Sequence, residues 1–191
     1  MLNERIDMII NYIFYYYEKY GNYDYIGENV SQIEHMIQGA MLAEEEQQPP
    51  EIVVAMFLHD IGHLLEYDSK SKNKMGDYGI VDHERFGKEF LEEIGIPYPI
   101  PDLVNNHVIS KRYLVSKDIN YYNNLSEASK KTLKLQGGIM NSEEMTEFEN
   151  NPLFNKSLIV RGYDDRSKVA GLNINSLDYY KTYIRNYLKN I

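Results

Sequence analysis

All five histidines of the chain, His35, His59, His63, His83 and His107, fall between positions 35 and 107, and the central pair lies in the run His59-Asp60-Ile61-Gly62-His63. That run constrains the fold, because it puts an imidazole and a carboxylate side by side where one metal pair can use both. On a helix His59 and His63, four residues apart, share a face, with Asp60 one step round from His59. His35 before the run, His83 and His107 after it and the late acid Asp164 complete two adjacent coordination spheres of nitrogen and oxygen donors. Hard or borderline divalent metals accept such a set.

Apolar residues recur at helical spacing through most segments, and no alternating run is long enough to argue for a sheet, so the chain reads as all-α. A first helix is expected over 3–18, stopping at Gly21. Ser31-Gln32-Ile33-Glu34 has the form of a capping box, which places His35 in the first turns of the next helix. Pro49-Pro50 suits the opening of a helix that runs over 52–65 and carries the His-Asp pair. The polar stretch 68–79 reads as a long loop, and Asp82 as the cap of a helix bearing His83 that Gly95 and Pro97 end. Further helices are expected over 102–115, 127–135, 142–149, 153–169 and 176–189.

At 191 residues the chain fits one domain, 1–191. Its net charge of -9 repels polyanions, and no basic run interleaved with aromatics offers a nucleic-acid track. A small anion can still bind to a local cluster of cations, because distant surface charge is screened over ~8 Å at physiological salt. Cysteine is absent, which excludes disulfides and thiolate ligands. Residues 1–20 carry Glu4, Arg5, Asp7, Glu18 and Lys19 and read as neither signal peptide nor membrane anchor, so the expected location is the cytoplasm. The sequence leaves the oligomeric state open.

A metal pair held by histidines and a bridging carboxylate, ~3.5 to 4 Å apart, serves water activation against a phosphoester and, if the metals are iron, dioxygen chemistry. Ligand type does not separate the two. The surrounding residues do. Tyr25 to Gln38 (Tyr-Ile-Gly-Glu-Asn-Val-Ser-Gln-Ile-Glu-His-Met-Ile-Gln), Phe57-Leu58-His59-Asp60-Ile61-Gly62-His63, Asp82-His83-Glu84, His107 with Lys111 and Arg112, Leu133-Lys134-Leu135-Gln136-Gly137-Gly138 and Arg161-Gly162-Tyr163-Asp164-Asp165 together resemble the HD-domain mixed-valence diiron oxygenases of phosphonate catabolism. The resemblance spans about 25–168.

The resemblance implies a single HD-domain helical bundle with His35, His59 and Asp164 on one iron, His83 and His107 on the other, and Asp60 bridging. It implies two iron ions in an Fe2+/Fe3+ mixed-valence state and O2 as co-substrate. A phosphonate pocket would comprise His63, Lys111, Ser129, Thr132 and Arg161, which suits a dianion that wants a guanidinium, a point charge and hydroxyl donors. Taken singly, Lys111 and Arg161 also read as solvated helix charges, and Ser129 and Thr132 as helix-surface hydroxyls. Tyr25 would occupy an iron site until substrate displaces it, Glu28 would face the substrate's amino end, and these two with His63 would be the catalytic residues.

The family often shows a second Arg and a Trp where this chain has Gly162 and Tyr163, and a Pro where it has Ile139. The expected consequence is an altered wall beside Asp164 and Arg161. The expected activity is oxidative C–P cleavage of a small (amino-)1-hydroxyalkylphosphonate, releasing phosphate and a carboxylic acid such as glycine. An HD-type metal-dependent phosphohydrolase of a small phosphoester is the alternative, and a non-catalytic metal-stabilised sensor of a phosphorylated metabolite a third reading.

Overall fold

In the computed structural model, which describes residues 2–25, 27–68 and 82–191, helices form where apolar residues recur every three or four positions. The first helix, α1 (Leu2–Tyr20), turns Ile6, Ile10, Ile13, Phe14 and Tyr17 inward and leaves Met8, Tyr12 and Tyr15 exposed. A turn follows in which the Tyr25 amide donates to the Val30 carbonyl, and Asp24 and Ser31 make an isolated antiparallel bridge. Helix α2 (Gln32–Glu45) opens on the expected capping box: Ser31 Oγ accepts from the Glu34 amide, and the Glu34 carboxylate accepts from the Ser31 amide at 2.7 Å. Among the described residues no strand forms, so the fold is all-α.

The expected helix over 52–65 is in fact two. Helix α3 (Pro50–Leu58) ends before His59, and α4 (Ile61–Leu65) begins after Asp60, whose backbone leaves helical geometry at φ -105° and ψ 15°. A two-residue break between two apolar helices leaves no trace in hydrophobic periodicity, which is why the pattern ran through it. A 3-10 turn covers Glu66–Asp68; beyond Asp68 the expected polar loop lies outside the described residues. Helix α5 (His83–Ile94) starts without the expected side-chain cap, since Asp82 takes a left-handed φ of +65° and its carboxylate makes no cap hydrogen bond. It ends where expected, at Gly95 with φ +92°.

Helices α6 (Ile100–Lys117), α8 (Glu127–Leu135), α9 (Ser142–Glu149), α10 (Phe154–Arg166) and α11 (Leu177–Lys189) follow. Helix α10 stops short of the expected 169. A short α7 (Ile119–Asn124), capped by Asp118, was not foreseen because its six residues are too few to show a helical apolar period. Helix α3 sits at the centre against α2, α6, α10 and α11, with every side chain from Ile52 to Leu58 buried. Phe57 stacks with Phe14, Tyr17 and Tyr180, and the Tyr17 hydroxyl donates to the Phe57 carbonyl. Truncating such a ring typically costs ~3–5 kcal/mol, so the segment leading into His59 is rigidly held. Among the described residues no helix is long and apolar enough to cross a membrane.

Candidate metal centre

Packing of α2, α5, α6 and α10 around the α3–α4 break buries His35, His59, Asp60, His83, His107 and Asp164 together. Gly62 permits this arrangement. A Cβ there would lie 1.9 Å from the His83 carbonyl oxygen, so only glycine lets α4 rest on the start of α5.

The six residues form two groups. His35 Nε2 and His59 Nε2 lie 3.0 Å apart, and Asp164 Oδ1 stands 3.3 Å from the first and 3.8 Å from the second. His83 Nε2 and His107 Nε2 also lie 3.0 Å apart. Asp60 stands between the pairs. Its Oδ2 is 3.5 and 3.4 Å from the nitrogens of His35 and His59, and its Oδ1 is 3.3 and 3.4 Å from those of His83 and His107.

This donor set fits two cations. His35, His59 and His107 each place Nδ1 against a backbone carbonyl, those of Ser167 (2.9 Å), Met56 (2.8 Å) and Val104 (2.6 Å). A carbonyl only accepts, so Nδ1 carries the proton and Nε2 presents a lone pair to the centre. Two lone pairs 3.0 Å apart repel unless a cation or a proton lies between them. Two ligands at right angles on a metal, each at ~2.1 Å, are separated by ~3.0 Å. Asp60 Oδ2 and Asp164 Oδ1 are buried acceptors with no hydrogen-bond partner among the described residues, which is costly unless a cation meets them.

A polar cavity opens beside the second pair, lined by Asp60, His83, His107 and Asp164 and not by His35 or His59. Tyr25, Glu28, His63, Lys111, Ser129, Thr132 and Arg161 all line it, so the structure brings every expected pocket residue to one place. Tyr25 stacks on the His35 ring (centroids 4.1 Å apart), and His63 stacks on His83 (3.9 Å) without joining either donor group. His63 therefore does not share a face with His59, as a continuous helix would have required. Lys111 Nζ meets the Thr132 hydroxyl at 3.1 Å, and no carboxylate among the described residues lies within ion-pair distance of it.

Residues 32–137 match the HD domain model, a span that holds all five histidines and Asp60. This chain belongs to the HD-domain family. It is 49% identical, over 97% of its length and 84% of the relative's, to an uncharacterized protein of Acanthamoeba polyphaga mimivirus. It is 43% identical over 86% of its length to the 1-hydroxy-2-(trimethylamino)ethyl phosphonate dioxygenase (glycine-betaine-forming) of Leisingera caerulea, covering 82% of that protein. It is 37% identical over 85% of its length to the hydroxymethylphosphonate dioxygenase of Gimesia maris, covering 80% of that protein.

The electrostatics of this HD-domain centre are dominated by burial and by Asp60. Burial pushes His59 down to about 4 and His83 down to about 3, so both are neutral at physiological pH, the form that can donate a lone pair to a metal. For His107 burial is outweighed by the hydrogen bond and charge of Asp60, and its pKa rises. Asp60 and Asp164 are held well below the usual carboxylate range; burial opposes this, and His59 with the hydrogen bonds of His107 and His83 for Asp60, and Arg161 for Asp164, overcome it. Burial pushes Lys111 down to about 7, with Arg161 adding repulsion. Tyr25 is raised by burial and by the nearby charges of Asp60 and Asp164.

Arg161 is more committed than a free anion receptor. Its guanidinium donates to Asp164 Oδ2 at 2.5 Å, to Asp165 and to the Tyr121 hydroxyl at 3.0 Å, which fixes the Asp164 carboxylate so that Oδ1 faces the histidines. The Gly162/Tyr163 departure does not alter the cavity wall. Arg161, Asp164 and Asp165 share the inner face of α10, whereas Tyr163 points away and donates to Glu46 at 2.8 Å. Ile139 is exposed on the surface. Sequence reasoning missed Lys168, which lies just beyond α10 and reaches Ser129 Oγ at 3.4 Å and Glu28 Oε1 at 3.5 Å. A lysine after a helix looks like a solvated charge, and nothing in its spacing signals otherwise.

Proposed function

We propose that the protein is a diiron oxygenase that cleaves the carbon–phosphorus bond of a small 1-hydroxyalkylphosphonate. The observation that carries this reading is Asp60 with one oxygen toward each histidine pair, beside a cavity whose buried Lys111 has no carboxylate partner among the described residues. In balance, the hydroxyphosphonate and O2 give a carboxylic acid and phosphate: the carbinol C–H and the C–P bond break, two C–O bonds replace them, and phosphorus gains one oxygen. Bound iron would supply dioxygen activation and the electron transfers; the chain's own residues bind, orient and exclude water.

His35, His59 and Asp164 would hold one metal, His83 and His107 the other, with Asp60 between. Lys111 would take the phosphonate as a point charge, with Thr132, Ser129 and His63 as hydrogen-bonding partners. Arg161 acts mainly through Asp164, orienting its ligand oxygen while adding positive potential to the cavity. Tyr25, stacked on His35, would cover the first metal position until substrate takes its place, and Glu28 would face the end of the substrate distal to phosphorus.

The test uses protein loaded with iron and incubated with hydroxymethylphosphonate, its 2-amino-1-hydroxyethyl analogue and the 2-trimethylamino analogue. Oxygen uptake matched by phosphate release, with a coupled Fe(II)/Fe(III) resonance that changes on substrate addition, is the expected result. Phosphoester hydrolysis with Mn or Ni and no oxygen uptake would replace this reading with the phosphohydrolase one.

A further inference from the structure

Helix α8 supplies Ser129, Thr132 and Gln136 to the wall of the cavity, yet the main core holds no side chain from α7, α8 or α9. Leu133 is the buried apolar side chain of α8, and it packs on Val115 of α6 and on Leu125 in a small separate cluster. A nine-residue helix anchored by one leucine is not held in place by burial alone.

Polar contacts from one stretch of α6 add the rest. Lys111 Nζ donates to the Thr132 hydroxyl at 3.1 Å inside the cavity. The next residue, Arg112, does not line the cavity. Its Nε donates to the Gly138 carbonyl at 3.0 Å, and its Nη2 reaches the Gly137 carbonyl at 3.4 Å and Glu144 Oε1 at 2.6 Å. One turn on, Ser116 Oγ accepts from the Met140 amide at 2.7 Å and donates to the Arg112 carbonyl at 2.8 Å. Gly137 and Gly138 take left-handed backbones, φ +98° and +67°, and a Cβ on Gly137 would stand 3.1 Å from the guanidinium carbon, so this loop is shaped to admit Arg112. A guanidinium beside carbonyls at a helix C-terminus is favoured by the helix dipole, and its planar fork fixes direction as well as distance. The Glu144 pair is partly exposed, so the contacts to the carbonyls count for more.

We infer that Arg112 is a positioning residue of the anion site, which sets the Ser129 and Thr132 hydroxyls against Lys111 by docking the end of α8 on α6. The inference rests on the phosphonate reading of the cavity. It gives two adjacent α6 residues separate tasks: Lys111 meets the anion, and Arg112 holds the helix that completes its site.

The test uses the full-length, iron-loaded chain without oxygen, titrated with methylphosphonate, which carries the anion but no carbinol to oxidise. Arg112→Met should weaken binding about tenfold, the scale of one hydrogen bond to a charged group, with iron content equal to the wild type's. Arg112→Lys keeps the charge and loses the fork that spans both carbonyls, so it should weaken binding by a similar factor. In a Ser129→Ala/Thr132→Val background, which has no hydroxyls to position, Arg112→Met should change the affinity by no more than about twofold. Amide hydrogen exchange in α8 should quicken by about tenfold or more in both Arg112 variants and stay unchanged at the start of α6. Wild-type affinity in Arg112→Lys, or an Arg112→Met penalty that persists in full without the hydroxyls, would mean a long-range charge effect and overturns the inference. So does α8 exchange unmoved by either substitution. Wild-type protein that binds no methylphosphonate, with α8 still loosened in Arg112→Met, fails the phosphonate reading while upholding Arg112 as the clasp of α8.

Discussion

Around Asp60, the half built from His35 and His59 has a second carboxylate in Asp164, whereas the half built from His83 and His107 has none among the described residues. The first half is backed by the carbonyls of Ser167 and Met56 and capped by the Tyr25 ring, and neither of its histidines lines the cavity. The second half is backed by the Val104 carbonyl on one side only. Among the described residues His83 Nδ1 has no hydrogen-bond partner and stands 3.4 Å from Glu84 Oε2, which has none either, while both histidines line the cavity. With four surrounding donors among the described residues against three, the first half should hold its metal more firmly than the second.

The widest test removes what the halves share. Asp60→Ala should empty both metal positions, because two cations this close lose the charge that offsets their repulsion; metal analysis should fall from two equivalents to near none. Retention of two equivalents would end the dinuclear assignment.

The next test separates the halves. His107→Ala leaves His83 and Asp60 and should drop metal content to about one equivalent, with loss of the coupled resonance. His35→Ala leaves His59, Asp60 and Asp164, and should weaken its metal while retaining more of it under dialysis. Equal losses in the two variants would remove the asymmetry.

A subtler change concerns the support of His83. On metal loading His83 Nδ1 would carry its proton and donate to Glu84 Oε2, 3.4 Å away, so Glu84→Ala should lower affinity at the second position by about 10–100-fold and leave the first unchanged. Competition with a chelator measures it.

The smallest effect is on pH. Lys111, near 7 in the metal-free chain, is cationic below that value and neutral above it, so its pull on an anion is present at pH 6 and fades as pH rises through 7. Its folded value lies below its unfolded one, so its burial costs stability below pH 7 and the cost is relieved on going alkaline. Lys111→Met should therefore weaken phosphonate binding roughly tenfold or more at pH 6 and much less at pH 8, since a hydrogen bond to a charged group contributes ~1.5–3 kcal/mol. A penalty independent of pH would place the phosphonate away from Lys111.

Local signals were legible wherever one residue decides one turn. The Ser31 capping box and Gly95 act over a few backbone atoms, and the structure shows both where the sequence places them. The 59–60 break was hidden because apolar residues flank it on both sides, and α7 because six residues, Ile119–Asn124, are too few to show a helical period. Asp82 looked like a cap, but its left-handed backbone turns the carboxylate away from the helix start.

By itself the sequence determined the helical class, most helix ends and the ordered series of donors, since these depend on residue type and short-range spacing. Only the tertiary structure decided that Asp60 turns one oxygen to each histidine pair, that Arg161 fixes Asp164, and that Lys168 meets Glu28 at the wall of the cavity. Each of these joins residues from different helices at distances of a few ångströms, and such distances follow from how whole helices pack, which no local pattern along the chain encodes.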